Sequence, residues 1–567
     1  MNNKNFKKPF SKELYGKEFD GYYPYPAEEL AKHSVFPYLI LDGGSFNLMN
    51  DRFGTANGDD ILKLTLNGKL FDIFRTKGEF NWEASFAYVE GTCFTKKYEW
   101  QIWPQRLYFT IPLAHKFLQT GERKYSDAWL TIIKEWDRAH PYQEFDPEVN
   151  YLDTDMVWRD MQVAWRTMSL LHGIFMLQNA PFTIEGWKYL YDFVNLHMKH
   201  LYIEAIDRLS RNYAQNHVLQ IGVVLLFTVS MFPEAENVSE MTKIALDTVE
   251  MNLKNAVFDD GGSDEDSPSY SHFIARLYLE SLRIIENNNF PEIKGLRESV
   301  KKQYEWLYQC MTPSGKTLSL SDSYSFDVLQ DLDYVSKLID LDFERIQKNI
   351  FYPDSNIAVF RKGEMTVFVD AVPWPGHHHH AGTPQIVSYY GEYPVLTDTG
   401  VCNYDRWEMY DYLHSFKAHN VVYNADFDYH ECTVVPEIES VDIKSGTMRI
   451  KTAVVNKNGM SYIWIREILV SDNKIIISDK AESKIEMPFV SRLFFKKNDV
   501  YFPKDDKQNM QLLTDSYLMT LSSKKNLSME LAPVMNEDNK VDYAVVCESK
   551  EKTKIFENKI ILKFKKR

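Results

Sequence analysis

The hydrophobic period of this chain changes once, near residues 345–355, and that change restricts the folds open to it. Before the seam, apolar residues return every three or four positions. Tyr125, Ala128, Trp129, Ile132, Ile133 and Trp136 make one such face, and Trp158, Met161, Trp165, Met168 and Leu171 another. These are the stripes of amphipathic helices. A third helix is expected over 239–257, and further stripes run through Ile274, Leu277 and Leu282, then Val300, Tyr304 and Leu307. After the seam the texture is β-branched and alternating, at 365–372, 438–455, 462–470, 474–479, 488–495 and 559–564. Turn signals such as Lys444-Ser445-Gly446 and Ser471-Asp472-Asn473 fall between these runs, as between short antiparallel strands. Helices and strands are segregated, which excludes Rossmann and TIM arrangements. A chain of 567 residues is too long for one ordinary core, so two domains are expected: 1–350 helical, and 351–567 an antiparallel β-sandwich. Many helices with short links imply a bundle, a solenoid or a toroid, and no fixed-period repeat is visible.

Charge and composition narrow the partners. The formal net charge is −15, which argues against nucleic acid, because phosphate binding needs clustered Lys and Arg. An acidic substrate stays open, since local basic residues can dominate a cleft once salt screens the distant field. The aromatic share is high, with 34 Tyr, 35 Phe and 12 Trp; rings pack cores first, and they also stack on sugar faces. Five scattered cysteines without a CxxC pair argue against a disulfide framework or zinc knuckle. The longest apolar run, 218–232, is broken by Gln220, Thr228 and Ser230 and reads as a buried helix, so no membrane span is expected. The first residues are polar and basic with no apolar leader core. As written the chain reads cytoplasmic, or periplasmic or secreted if a leader was removed. Oligomeric state is not legible.

Three islands could carry chemistry. The first, from Arg211 to His217, holds Asn216 and His217 just before the apolar run. Polar side chains at a helix start can face an anion, and the helix dipole favours one. An N-cap asparagine beside a hydrogen-bonded histidine has the same look. The second runs from Asp259 through Asp264, Glu265 and Asp266 to Ser267-Pro268-Ser269-Tyr270, an acidic loop ending in a helix start. Its spacing does not fit an EF-hand. Tyr270 could equally be a core aromatic. The third is Gly376-His377-His378-His379-His380-Ala381, followed by Asp398 and by His419-Asn420. Imidazole titrates near neutral pH and also ligates metals. In an extended segment His378 and His380 would point one way, leaving His377 and His379 facing away at the surface or a rim.

Taken together, the islands resemble the heparinase II/III-like polysaccharide lyases. The match comprises Asn216-His217, Asp260-Gly261 with Ser267-Pro268-Ser269-Tyr270, and His378-x-His380-Ala381 with Gly391, Pro394, Asp398, Gly400 and His419-Asn420. The segment from Trp158 to Ala164 with Arg166 is similar to the family's tryptophan-containing helix, so the resemblance runs from roughly residue 95 to at least 480. It implies an α+β multidomain chain: an N-terminal (α/α) toroid, a C-terminal antiparallel β-sandwich and an active cleft between them. It also implies β-elimination on an acidic, uronate-containing polysaccharide or oligosaccharide. By the family pattern Asn216, with His217 helping, neutralises the carboxylate next to the C5 proton. Tyr270 supplies acid or base or both, and His378 is the partner base. Arg159, Arg166, Arg211 and Arg406 are candidates for substrate contacts. His380, Asp398 and His419 match a metal-binding set of part of the family. One structural zinc near the cleft is one reading of them and a hydrogen-bonded His–Asp–His cluster without metal is the other. No organic cofactor is implied. Gln220 stands where some relatives carry glutamate, which speaks against a glutamate-dependent mechanism.

Two other readings compete. A toroid-type glycoside hydrolase needs paired carboxylates, and Asp264, Glu265 and Asp266 offer them, but the Asn/Tyr/His set then has no task. A non-catalytic glycan-binding protein would use none of these residues for turnover. The uronate polymer, whether heparan-type, hyaluronan or chondroitin, alginate or exopolysaccharide, is left open.

Overall fold

The computed structural model describes residues 5–16, 18, 20–22, 75–76, 79–80, 104–148, 157–401, 408–496, 500–501, 507–514, 517–535 and 541–566. Two compact units are present. One contains Phe94–Val257 and Phe273–Val300; the other contains Phe258–His272 and Lys301–Arg567. In secondary structure the change falls where the period changes, with the first strand of the sheet at Ile350–Tyr352.

The helical unit is built from the predicted stripes. Helix Arg123–Ala139 buries Tyr125, Trp129, Ile132, Ile133 and Trp136, while Ala128 lies at the margin, half-buried. Trp129 packs so tightly on helix Met161–Met176 that a Cβ at Gly173 would sit 2.3 Å from its ring, so only glycine fits there. Helix Ile184–Ser210 starts at Thr183, whose Oγ1 accepts a hydrogen bond from the Gly186 N–H. The apolar run forms helix Asn216–Met231, buried along almost its whole length. Helix Val238–Ala256 packs on it, one residue earlier at each end than its sequence pattern indicates. Among the described residues no helix is long and apolar enough to cross a membrane.

The strand unit is one continuous antiparallel network. Ser461–Ser471 pairs with Thr447–Asn456 on one side and with Lys474–Lys496 on the other. The runs expected separately at 474–479 and 488–495 are this single strand, broken only by a register shift between Glu482 and Met487. Such an irregularity bends a strand. Before it, Lys474–Lys496 pairs with Ser461–Ser471; after it, the same strand bonds Val422–Asn424 and Leu396. Val541–Lys566 runs along it throughout and also pairs with Tyr517–Ser523 and Ser528–Met535. Thr447–Asn456 and Ser461–Ser471 alternate buried and half-buried residues, as expected of strands with one face to a core. Met365–Asp370 and most of Gln385–Tyr390 are buried on both faces.

A charged knot sits inside this unit. Arg466 is fully buried and forks onto Asp479, at 2.8 and 3.0 Å, over the face of Trp464. Its Nη1 donates to the carbonyls of Pro384 and Asn420. Asn420 in turn donates to the carbonyls of Ile386 and Thr397 and accepts from the Phe494 N–H. These bonds fix the segments on either side of the histidine-rich loop.

Candidate functional site

The strand unit gathers its chemistry around one carboxylate. Asp322 is fully buried; its Oδ1 lies 2.9 Å from Nε2 of His380 and 3.1 Å from Nε2 of His414, and its Oδ2 lies 3.2 Å from Nδ1 of His378. Burial would raise the Asp322 carboxyl, but the charge of His414 and hydrogen bonds from the three histidines hold it well below its usual value. His380 is pushed down to about 3 by burial and then by His414, against the pull of Asp322. His378 and His380 do converge, though not through strand alternation. The loop is not extended: His378 has φ 46, a left-handed conformation uncommon outside glycine and frequent at functional sites. His379, expected to face outward, is instead buried against Asp370 at 2.8 Å, because the turn at His378 breaks the alternation. His377 is exposed.

Tyr270 joins this group. Its ring stacks on His378 with centroids 3.5 Å apart and planes 12° from parallel. Nε2 of His378 lies 3.4 Å from Oε2 of the buried Glu265. The acidic loop is anchored rather than built as an ion cage. Asp260 accepts from the N–H groups of Gly262, Asp354 and Ser355 and from the Ser355 hydroxyl. Pro268 opens helix Pro268–Asn288, where its missing N–H costs nothing. Ser269 ties the helix start to the Asp322 loop: its N–H donates to Ser323, and its hydroxyl donates to the Asp322 carbonyl. Burial, then the charge of Glu265, pushes Asp264 up to about 7. Burial first, with like charges adding to it, pushes Asp266 up to about 8.

The expected ligand set His380, Asp398 and His419 is not the one this unit assembles. His419 is bound at both ring nitrogens, Nδ1 to Asp398 at 2.7 Å and Nε2 to the Leu413 carbonyl at 2.9 Å. Asp398 also accepts from the N–H groups of Ser321 and Thr399. His380 instead joins Asp322 and His414, and this buried group could hold a metal ion, its ligand atoms all within 4.8 Å of one another. The donor set fits a cation. Nδ1 of His414 lies 2.9 Å from the Tyr410 carbonyl and must donate there, so in the neutral ring the Nε2 lone pair faces Asp322.

In the helical unit, Asn216 is the buried first residue of its helix. His217 follows, its side chain 23% exposed, with Nδ1 2.9 Å from Oδ2 of Asp160. Behind Asp160 lies Glu204, which accepts from the Asp160 N–H at 3.1 Å and from Arg208 at 2.9 Å. Burial alone would raise Asp160; the charge and hydrogen bond of His217, with Arg208 beyond, hold it low. Burial, then the charge of Asp160, pushes Glu204 up to about 7.

Of the arginine candidates, Arg166 is an interior residue. It is fully buried, donates to His197 and to the carbonyls of Gln105 and Val157, and lies over Trp136 and Trp158. That arrangement leaves no face for a ligand. Arg159 is half-buried, Arg211 is exposed and pairs with Asp207, and Arg406 lies outside the described residues. Sequence reasoning missed Asp322 and His414 and gave Asp160 no role. The only signals were a short polar step, Ser321-Asp322-Ser323, at the end of the helical half, and a further histidine five residues before His419.

A helical (α/α) toroid followed by an antiparallel β-sandwich is the fold shared with a crystal structure of heparinase III, at a TM-score of 0.73 over 95% of this chain and 92% of that one, with 13% identity. The family model for the heparinase II/III N-terminus matches residues 51–341, and the heparinase II/III-like C-terminal model matches 347–567. The chain belongs to the heparinase II/III family. A heparin-sulfate lyase of Pedobacter heparinus is 24% identical over 248 residues, which is 41% of this chain and 36% of that enzyme. Another, of Bacteroides stercoris, is 24% identical over 263 residues, 41% of this chain and 37% of that enzyme. The chain thus matches little more than a third of the length of these relatives.

Proposed function

We propose that this chain is a polysaccharide lyase that cleaves a uronate-containing glycosaminoglycan of the heparan-sulfate class by β-elimination. The observation that carries the reading is the Tyr270–His378 stack, oriented by Asp322 and Glu265. The similarity to two heparin-sulfate lyases supports the substrate class. Elimination removes the C5 proton and builds an enolate on the neighbouring carboxylate, which donors must stabilise. Asn216 and His217 take that role. Tyr270 takes the C5 proton and returns a proton to the departing glycosidic oxygen. Two rings stacked at 3.5 Å leave no room for a sugar between them, which favours a syn path through Tyr270 over an anti path with His378 on the opposite face. His378 then orients the phenol and stabilises its charge.

Asp322, His380 and His414 would hold a zinc ion, an N/O set that zinc accepts. Zinc would fix the histidine loop beneath His378, and no proton passes through it.

The test is a panel of uronate polymers followed by ultraviolet absorbance, since elimination creates a conjugated unsaturated uronate and hydrolysis does not. Tyr270→Phe and His378→Ala are expected to lose about 10²–10⁴-fold in turnover with the fold kept. Near-wild-type turnover by Tyr270→Phe, or hydrolytic products only, defeats the reading. Hydrolytic products alone would favour a hydrolase using the Asp264–Asp266 carboxyls.

A further inference from the structure

We infer that Asp160 and Glu204 are positioning residues that hold His217 as a cationic donor, its Nε2–H directed at the substrate carboxylate. The inference rests on the lyase reading and adds two residues that act through a third.

Asp160 breaks two local rules at once. It occupies the N-cap of helix Met161–Met176, where aspartate normally accepts from the first-turn N–H groups, yet its side chain makes no capping bond. Its backbone is at φ 56, ψ −146, a region that is essentially glycine's. Strain of that kind persists only where surrounding groups impose it. Here the group is Glu204, fully buried, accepting from the Asp160 N–H and itself held by Arg208. The turned residue spends its carboxylate on Nδ1 of His217 at 2.9 Å.

An ionised carboxylate can only accept, so Nδ1 of His217 carries a proton and Nε2 is left for the partly open side. A neutral ring would offer Nε2 as a lone pair and repel a uronate. A second proton, favoured by Asp160, turns Nε2 into a donor whose bond strengthens as the enolate forms. The other groups packed here are His200, Glu204 and Arg208 on helix Ile184–Ser210. Burial pushes His200 down to about 3, so it stays neutral. Asn252, on helix Val238–Ala256, accepts from the Gln215 N–H and adds no charge.

The test uses the full chain, with lyase kinetics across pH and NMR titration of the His217 ring. Asp160→Asn is expected to lower kcat about 10²-fold with little change in KM, the loss typical of one oxyanion donor. It should also move the alkaline limb of the profile down by about one to two pH units. Glu204→Gln keeps an acceptor for the Asp160 N–H and should stay near wild type; Glu204→Ala should behave like Asp160→Asn. His217→Gln leaves the strained turn intact and should abolish the alkaline limb. A uniformly scaled profile for Asp160→Asn, a limb that survives His217→Gln, or wild-type kinetics for Glu204→Ala each overturns the inference. Should the wild-type chain give no unsaturated product from any polymer, the lyase reading fails, and NMR then decides on its own: an unchanged His217 midpoint in Asp160→Asn overturns the positioning role, and a lowered one upholds it.

Discussion

Replacing Asp322 by Asn tests whether the three-histidine hub is a charged one. The substitution keeps the volume and removes the charge. Oδ1 serves His380 and His414 and Oδ2 serves His378, whereas an amide has one accepting atom. Whichever way it turns, its NH₂ meets an imidazole that has lost its acceptor. A hydrogen bond to a charged group contributes about 1.5–3 kcal/mol and a neutral one about 0.5–1.5 kcal/mol. One bond lost and two weakened come to about 4 kcal/mol; a buried carboxylate no longer needing desolvation returns part of this. The net expectation is a loss of about 2–3 kcal/mol, or a melting point lower by roughly 5–10 °C for a unit of this size. Thermal unfolding by near-ultraviolet circular dichroism, both proteins stripped with a chelator, measures it. The pH dependence adds a sign. Asp322 is held below its usual value, so its contribution is complete above the unfolded-state pKa of about 4 and fades as pH falls further. The deficit of the variant should therefore be full at neutral pH and shrink in acid. A variant melting within about 1 °C of wild type at neutral pH refutes the reasoning.

Arg466→Ala should cost about 3–5 kcal/mol by stranding Asp479, and Arg466→Met with Asp479→Leu should recover at least half of it; denaturant midpoints that do not move remove the charged knot from the account. Asp266 is raised to about 8, so folding favours its protonated form: the penalty is absent below about pH 4, grows as pH rises, and is complete above pH 8. Asp266→Asn should thus raise the melting temperature at alkaline pH and leave it unchanged near pH 4, and an equal gain at both defeats the assignment. Zinc added to chelator-stripped protein should raise the melting temperature; His414→Ala should abolish that rise and His419→Ala should leave it, and the reverse pattern restores the expected His380, Asp398 and His419 set.

Where hydrophobic periodicity governed, the sequence was readable. The stripe from Tyr125 to Trp136 is the buried face of its helix, and the β-branched runs are strands. The exception is instructive: 474–479 and 488–495 read as two strands because the polar stretch between them marks a bend, not an end. Residue identity carried the candidates Asn216, His217, Tyr270 and His378, since few chemistries ask for those types together. It could not carry Asp322. No periodicity or spacing marks one aspartate as the partner of histidines 56, 58 and 92 positions further along, because that pairing is made by tertiary packing alone. Nor could it separate Arg166 from a substrate arginine, since cation–π burial beside Trp136 and Trp158 depends on neighbours distant in the chain. His379 went astray for a backbone reason: a single left-handed residue reverses the parity on which alternation depends.

The long strand Val541–Lys566 lies between earlier strands rather than at their margin. During synthesis at about 5–20 residues per second, the ribosome must deliver this segment before Lys474–Lys496 and Tyr517–Ser523 can be bridged. Until then their backbone edges are exposed templates for wrong partners. A premature stop near residue 540 would therefore yield a nascent chain whose helical unit can be complete while its sheet has lost the middle, a product for chaperones and proteases rather than a weakened enzyme.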